Sequence, residues 1–421
     1  MKLETNNESA NYSASIVKID KLFGIPEADK IQRTVVNGNN VVVSTDVKEG
    51  DIMVYFVSGT QLNADYCKFN NLYSNSELNS DTTKKGFFTD KRRVKAIKLK
   101  GVISDGILLP LDSFDFQHLD IKTKLKVGDD FTHIEGVEIC KKYIILQERS
   151  SKESKPRDEK RKNKLKHILK DNQFKFHFTT PHLAKNLQKI NNNTSIVITR
   201  KYHGSSLILS NLLVNKKLSF KEKILKFLKI TIPLEEYGFI WSSGKPKGEL
   251  PKGISSKSNI WNTSNPSYYK QNIWERAYNE LKDSVEKGIS LYGEIVGEGI
   301  QGTDYTYNKE YQIYIYRITY TTPENKTIEF SWEQLKSYCN KYNLEYVEEY
   351  FDGKLKELTR KKDYLSFLQE KYLNKSYSDC NIDEGICIRI KEDNSIFKLK
   401  SPNFIKKESD NQEKGIEEFE S

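Results

Sequence analysis

The chain has 421 residues, 30% of them charged, and a formal charge of +10. That length suits two domains with proper cores, and the positive balance suits a polyanionic partner such as nucleic acid as readily as it suits plain solubility. Cys67, Cys140, Cys339, Cys380 and Cys387 are odd in number and lack C-x-x-C spacing, which argues against a disulfide scaffold or thiolate zinc site and for a reducing compartment. The histidines show no H-x-x-x-H spacing, so any metal should rest on oxygen ligands.

Met1 to Ser13 is polar and Asn-rich, with no apolar core of signal-peptide length, and no later run approaches a membrane span. A soluble, cytoplasmic protein is expected. From Ser15 to about Leu111 the pattern is strand-like: Ser15 to Ile19, Asn40 to Val43 and Ile52 to Phe56, with turns such as Gly50-Asp51 between them. Short strands and frequent turns predict a small β-barrel or sandwich. Arg92, Arg93, Lys95, Lys98 and Lys100 could line one nucleic-acid-facing surface of such a barrel; they could equally be a solvated strand edge whose lysines discourage aggregation.

Gln147 to Lys166 is almost wholly charged or polar and reads as a linker. A second unit follows with a different rhythm, mixing strands with helical segments such as Trp274 to Glu286, so its class is α+β. Glu408 to Ser421 is acidic and is expected to fray.

Four signals occur in order after the linker. Lys201-Tyr202-His203-Gly204 closes an apolar, strand-like run. Leu291-Tyr292-Gly293-Glu294-Ile295-Val296-Gly297 delivers a carboxylate from a strand. Asp383-Glu384-Gly385-Ile386-Cys387-Ile388-Arg389 sets another carboxylate at the start of a strand. In Phe397-Lys398-Leu399-Lys400-Ser401-Pro402 two lysines stand at period-two spacing, so both leave one face of the strand. Glu294 and Glu384 are each embedded among apolar residues, and burying two charges without a role is costly.

This ordered set resembles the covalent nucleotidyltransferase superfamily of polynucleotide ligases and RNA capping enzymes. Tyr292 to Gln301 and Lys398 to Pro402 resemble RNA ligases specifically. Gly50 to Phe56 and Arg93 to Gly101 resemble the ATP-dependent RNA ligases that carry an OB-like module before the catalytic domain. The resemblance implies an OB-like β-barrel module over 1–140, a charged linker over 141–170, an α+β nucleotidyltransferase (adenylation) domain over 171–407 and an acidic tail over 408–421.

It also implies a chemistry. Lys201 is the expected nucleophile: it would attack the α-phosphorus of ATP and form a lysyl-AMP. An amine attacks only when unprotonated, and a desolvated pocket with neighbouring cations lowers its pKa; Lys398 and Lys400 are expected to supply those cations. Glu294 and Glu384 suit Mg²⁺ or Mn²⁺, which prefer hard oxygen ligands. Gly204 belongs to the nucleotide-binding set, and the aromatic expected to stack on adenine is Tyr316, with Tyr314 on the same strand face as fallback. AMP would pass to an RNA 5′-phosphate and leave when a 3′-hydroxyl attacks. The expected partner is therefore RNA with such ends, a nicked duplex among them, and the expected state is a monomer.

The chain departs from the family pattern in four places. His203 stands where aspartate is usual, and Arg200 where glutamate often precedes the lysine. Trp241-Ser242-Ser243-Gly244-Lys245 lacks the arginine expected after its serines, and Arg317 replaces an aspartate. These departures bear on nucleotide affinity and metal geometry. The rival readings are a DNA ligase or capping guanylyltransferase of the same superfamily, or a catalytically degenerate RNA-binding protein.

Overall fold

A computed structural model describes residues 1–117, 123–145, 163–244, 250–262, 272–301, 307, 311–359 and 363–416. The N-terminal part is built from short antiparallel strands. Its central sheet runs Ile107–Pro110, Ile52–Phe56, Ala14–Lys18, Asp130–Phe131. Met53 to Phe56 is apolar and buried on both faces of the strand, with Ile52 exposed at its start. Val54 and Phe56 join Ile16, Leu62, Tyr66, Phe114 and Phe131 in one core, while Met53 and Tyr55 join Val36, Val41 and Val43 in another. Alternate side chains leave opposite faces of a strand, so one pentapeptide serves two cores.

The second part is α+β and holds two antiparallel sheets. The larger has seven strands in the order Ile260–Asn262, Gly253–Ser256, Glu235–Ser242, Ser205–Asn215, Ile289–Val296, Gln312–Thr321, Thr327–Glu329. The smaller runs Glu349–Lys354, Ser195–Lys201, Gly385–Ile390, Ile396–Lys400. Ser195–Lys201 reads Ser-Ile-Val-Ile-Thr-Arg-Lys, β-branched at most positions and so suited to a pleated surface. Its Ile196 and Ile198 enter the core against helix Tyr364–Tyr372, and Val197, on the opposite face, joins the core shared with the larger sheet. Burying side chains of this size contributes about 1.5–3 kcal/mol each. Helix Trp332–Tyr342 covers that shared core; the Ser331/Gln334 capping box starts it and Asn343, at φ 53°, ends it in the left-handed region. The helix expected from Trp274 to Glu286 is shorter, Ile273–Leu281, with a 3-10 turn Lys282–Ser284 after it.

The junction between the two parts corrects three expectations. Most of the expected linker lies outside the described residues, but its end does not: residues 163–168 are helical, and Leu165 and Ile168 are buried against Leu212, Val214, Ile240 and Ile254 of the larger sheet. Nor does the acidic segment fray from Glu408. Helix Pro402–Glu413 carries it onto the N-terminal part, with Phe404, Ile405, Ser409 and Asn411 buried; residues 417–421 lie outside the described residues. The basic run does not form one open surface. Arg93 is 2% exposed and donates to Ser409 O at 3.0 Å, Gln412 Oε1 at 2.8 Å and Glu413 Oε2 at 2.9 Å, while Lys95 pairs with Glu413 at 2.8 Å. A guanidinium with a rigid fork of donors satisfies the last carbonyls and carboxylates of a helix better than solvent-facing display would. Lys98 and Lys100 remain exposed.

Candidate active site

The chain leaves the smaller sheet at Lys201 and enters the larger one at Ser205, so residues 202–204 join the two sheets. Register then assembles the site. Lys201 lies beside Gly385, which lies beside Lys400; one row on, Thr199 lies beside Cys387, which lies beside Lys398. In the larger sheet Ser206 pairs with Glu294. Two glycines permit the approach. A Cβ on Gly204 would sit 2.2 Å from Ile295 O, and one on Gly385, at φ +128°, would sit 2.1 Å from Leu399 O.

A cavity opens between the sheets. Lys201, Glu294, Tyr316 and Lys398 line it together with His177, Gly244, Cys387 and Arg389. Glu384 is not in the lining but contacts it through Lys201: Glu384 Oε1 lies 2.7 Å from Lys201 Nζ, and Glu384 Oε2 lies 3.7 Å from His203 Nδ1. Glu384 and Glu294 are 3% and 4% exposed. Burial opposes the charge on Lys201, but Glu384 leads the anionic groups that outweigh it, and the amine's pKa lies above the ordinary lysine value. This corrects the expectation that flanking lysines lower it: the nearest charge is a carboxylate. For Glu384 burial acts against ionisation and Lys201 and His203 overcome it, so its pKa lies far below the usual carboxylate range. Glu294 has no such rescue; burial pushes its pKa up to about 8 despite Lys201.

The remaining expected residues fall as follows. Lys398 lines the cavity, whereas Lys400 is turned to the C-terminal helix, with Glu408 Oε1 and Oε2 both 2.9 Å from its Nζ and the Phe404 ring 5.2 Å away. Tyr316 sits at a bulge: Tyr292 pairs with Arg317 and Gly293 with Ile315, so Tyr316 is skipped. A bulge re-aims its side chain, and Tyr316 faces the cavity with the His177 ring edge-on at 5.2 Å. Tyr314 does not share that place; it stacks on Tyr202 at 4.2 Å in the core. Arg200 donates two bonds to Asp379, at 2.9 and 2.8 Å, and lies over Tyr377 at 3.6 Å, so it braces the strand end. Arg317 is held bidentately by Glu329. Gly244 borders the cavity, and Lys245 lies outside the described residues.

Sequence reasoning missed Arg389, His177 and His182. Arg389 is 5% exposed; its Nη2 donates to Tyr316 O at 2.9 Å and its Nη1 has no hydrogen-bond partner among the described residues. It lies on the Gly385 and Cys387 face by period two, a signal that was readable. His182 pairs with Lys398 as a strand bridge. Burial, then Lys398, Lys400, Lys185 and Lys201, keep its pKa well below the ordinary value, which locates a cluster of cations around it. Nothing near His177 or His182 in sequence announces this.

Comparison with known proteins agrees with this geometry. An RNA ligase family model matches residues 194–400, and an OB-fold domain model matches residues 13–111. Over residues 194–400 the chain belongs to the RNA ligase family. The matched span contains Lys201, Gly204, Glu294, Tyr316, Glu384, Lys398 and Lys400, every site residue expected from the sequence. Its fold is shared with Naegleria gruberi RNA ligase. An apo aspartate-to-alanine mutant of that protein is 16% identical, with 96% of this chain and 100% of that chain covered and a TM-score of 0.59. The same protein with pyrophosphate is 18% identical over 94% and 98%, TM-score 0.58, and a lysine-to-alanine mutant with ATP and manganese is 17% identical over 94% and 98%, TM-score 0.57. No curated protein is significantly similar in sequence. The N-terminal OB fold followed by the α+β ligase domain is thus the architecture of the whole described chain.

Proposed function

We propose that this ligase is ATP-dependent and joins RNA ends through a lysyl-AMP on Lys201. The observation that carries the proposal is the convergence of three distant segments: Lys201 and Glu294 line one cavity between two sheets, and Glu384 Oε1 lies 2.7 Å from Lys201 Nζ. The amine of Lys201 would form a bond to the α-phosphorus while the bond from that phosphorus to the pyrophosphate oxygen breaks. Lys398 and Arg389, whose Nη1 makes no hydrogen bond among the described residues and lies 3.8 Å from Glu329 Oε1, are placed to meet the charge on the phosphate oxygens, where preorganised donors contribute most. Tyr316 offers a flat face for adenine, which stacks well on aromatic rings. AMP would then pass to an RNA 5′-phosphate, and attack by a 3′-hydroxyl would form the phosphodiester and release AMP. The related Naegleria structures hold ATP and manganese in one case and pyrophosphate in another, which supports ATP as donor.

Among the described residues no three His, Cys, Asp or Glu form a metal cage. The site nevertheless fits a hard divalent ion bound partly by substrate and water, because Glu294 Oε1 and Glu384 Oε2 are buried without a hydrogen-bond partner among the described residues. Glu294 and Glu384 would hold Mg²⁺ or Mn²⁺, which would neutralise triphosphate charge. Incubation with α-labelled ATP and Mg²⁺ should label the protein, and Lys201→Ala should abolish the label; label persisting in that variant refutes the assignment. Labelling by GTP in place of ATP would favour a capping guanylyltransferase. A chase with 5′-phosphorylated RNA as single strands, nicked duplexes and nicked DNA then reads the end arrangement.

A further inference from the structure

The hairpin formed by Ser205–Asn215 and Glu235–Ser242 is closed by residues 216–234, counting from its last ladder pair Asn215 and Glu235. Hairpin loops usually hold about 2–5 residues, so this connection is an insertion that the sheet itself does not need. Within it lies the helix Phe220–Phe227, started by a Ser219/Glu222 capping box and with none of its residues buried. At about 100° per residue, Phe227, Phe220, Ile224 and Leu228 fall within about a 100° arc. Such an arc ordinarily faces a core; here it faces solvent. Phe220 is 78% exposed, Phe227 86%, Leu228 59% and Ile224 44%. Lys223 borders the arc on one side and Lys221 on the other, and Lys226 and Lys229 lie close by. Leu225, on the inner side, is half-buried.

We propose that this helix docks the ligase on an anionic lipid surface. The occupant must be apolar and negatively charged at once. Six lysines lie between 216 and 229 against a single acid, Glu222, and that acid is already engaged by Ser219 N at 2.8 Å and by Lys216. An RNA would meet the lysines but not four exposed aliphatic and aromatic side chains. A bilayer interface offers both: acyl chains accept the arc while phosphates meet lysines at its edges, whose stems can reach outward. None of the helix's residues is buried, so its apolar arc is presented outward as a lipid interface requires. No residue of it lines the catalytic cavity, so docking leaves the site open. Among the described residues no helix is long and apolar enough to cross a membrane; this one would lie in the interface, and its single short face makes the binding reversible.

The test is cosedimentation of the full chain with vesicles of phosphatidylcholine alone and of phosphatidylcholine with phosphatidylserine. The protein should partition onto the phosphatidylserine vesicles, less so as salt rises, and stay free of the neutral ones. Phe220→Ser with Phe227→Ser should abolish that partitioning, and Lys221→Gln with Lys223→Gln should weaken it about fivefold per lysine, both with an unchanged melting temperature. The proposal is overturned if the wild type ignores both vesicle types, or if the phenylalanine variant binds as well as wild type. It is also overturned if that variant only breaks a self-associated form that shows no lipid binding.

Discussion

Replacing Glu294 by glutamine should stabilise the metal-free protein in alkaline solution while removing its activity. Burial holds the Glu294 pKa at about 8 against an ordinary 4.5. A carboxyl whose folded pKa is raised contributes stability that is whole below pH 4.5 and is lost as pH climbs to about 8, because over that window the folded state holds a proton the unfolded chain has released. At about 1.4 kcal/mol per pH unit, the loss reaches about 5 kcal/mol at pH 8. Glutamine resembles the protonated acid and does not titrate, so Glu294→Gln should match wild type near pH 4.5 and exceed it by an amount that grows with pH. The neighbours do not blur this window. Glu384 is ionised in both proteins, and the raised pKa of Lys201 lies above it. The neutral imidazole of His182 contributes equally to both proteins and cancels. Urea midpoints measured in EDTA from pH 5 to 8 read the difference, and label transfer from ATP should fall about 100-fold or more in the same variant. Parallel pH curves for the two proteins would refute the reasoning, since the cost of ionising Glu294 would then be absent.

Arg93→Ala takes the buried guanidinium from Ser409 O and Gln412 and leaves Glu413 with Lys95 alone, and should cost about 3 kcal/mol in urea unfolding; a change under about 1 kcal/mol would contradict the role given to the C-terminal helix. Gly385→Ala places a methyl 2.1 Å from Leu399 O at a left-handed φ, and should cost about 3 kcal/mol or more while displacing Glu384 from Lys201. A variant with wild-type stability and labelling would show that the strand can yield there. Tyr316→Phe should keep the KM for ATP and Tyr316→Ala should raise it about tenfold, from the loss of about 1–3 kcal/mol of base stacking; equal values for all three proteins would remove Tyr316 from the nucleotide site.

The strands and the four signals after the linker were legible because each depends on local pattern. An apolar run pointed to the strand that ends at Lys201, and glycine beside an embedded carboxylate pointed to Glu294 and Glu384. Pairing register was not legible: only the ladder sets Lys201, Gly385 and Lys400 in one row, and only a bulge separates Tyr316 from Tyr314. Charge was misread wherever a distant partner decides it. Arg93 and Lys95 look like an open basic surface until helix Pro402–Glu413 folds onto them, and Lys400 looks like a cation for the site until Glu408 reaches it. The helix Phe220–Phe227 shows the converse: its pattern is that of a core helix, and only its place at the tip of a hairpin leaves the apolar face uncovered.

These pairings bear on how such a site can rest safely. A free buried amine would be reactive toward any activated phosphate that entered, and a free buried carboxylate would be costly. Here Lys201 is held by Glu384 and Lys400 by Glu408, so the two lysines are neutralised from within. While Glu384 stays against it, the Lys201 amine keeps its proton and cannot attack. Glu384 Oε2, which faces His203 but makes no hydrogen bond among the described residues, and Glu294, largely neutral below pH 8, are the groups able to accept positive charge brought in with a nucleotide. Drawing the Glu384 charge away from Lys201 removes the largest group that raises the amine's pKa and strengthens the hand of burial, which lowers it. If Lys201 is the nucleophile proposed above, the charge that arrives with its own substrate would switch it on, which is a reason for burying two carboxylates and a lysine together.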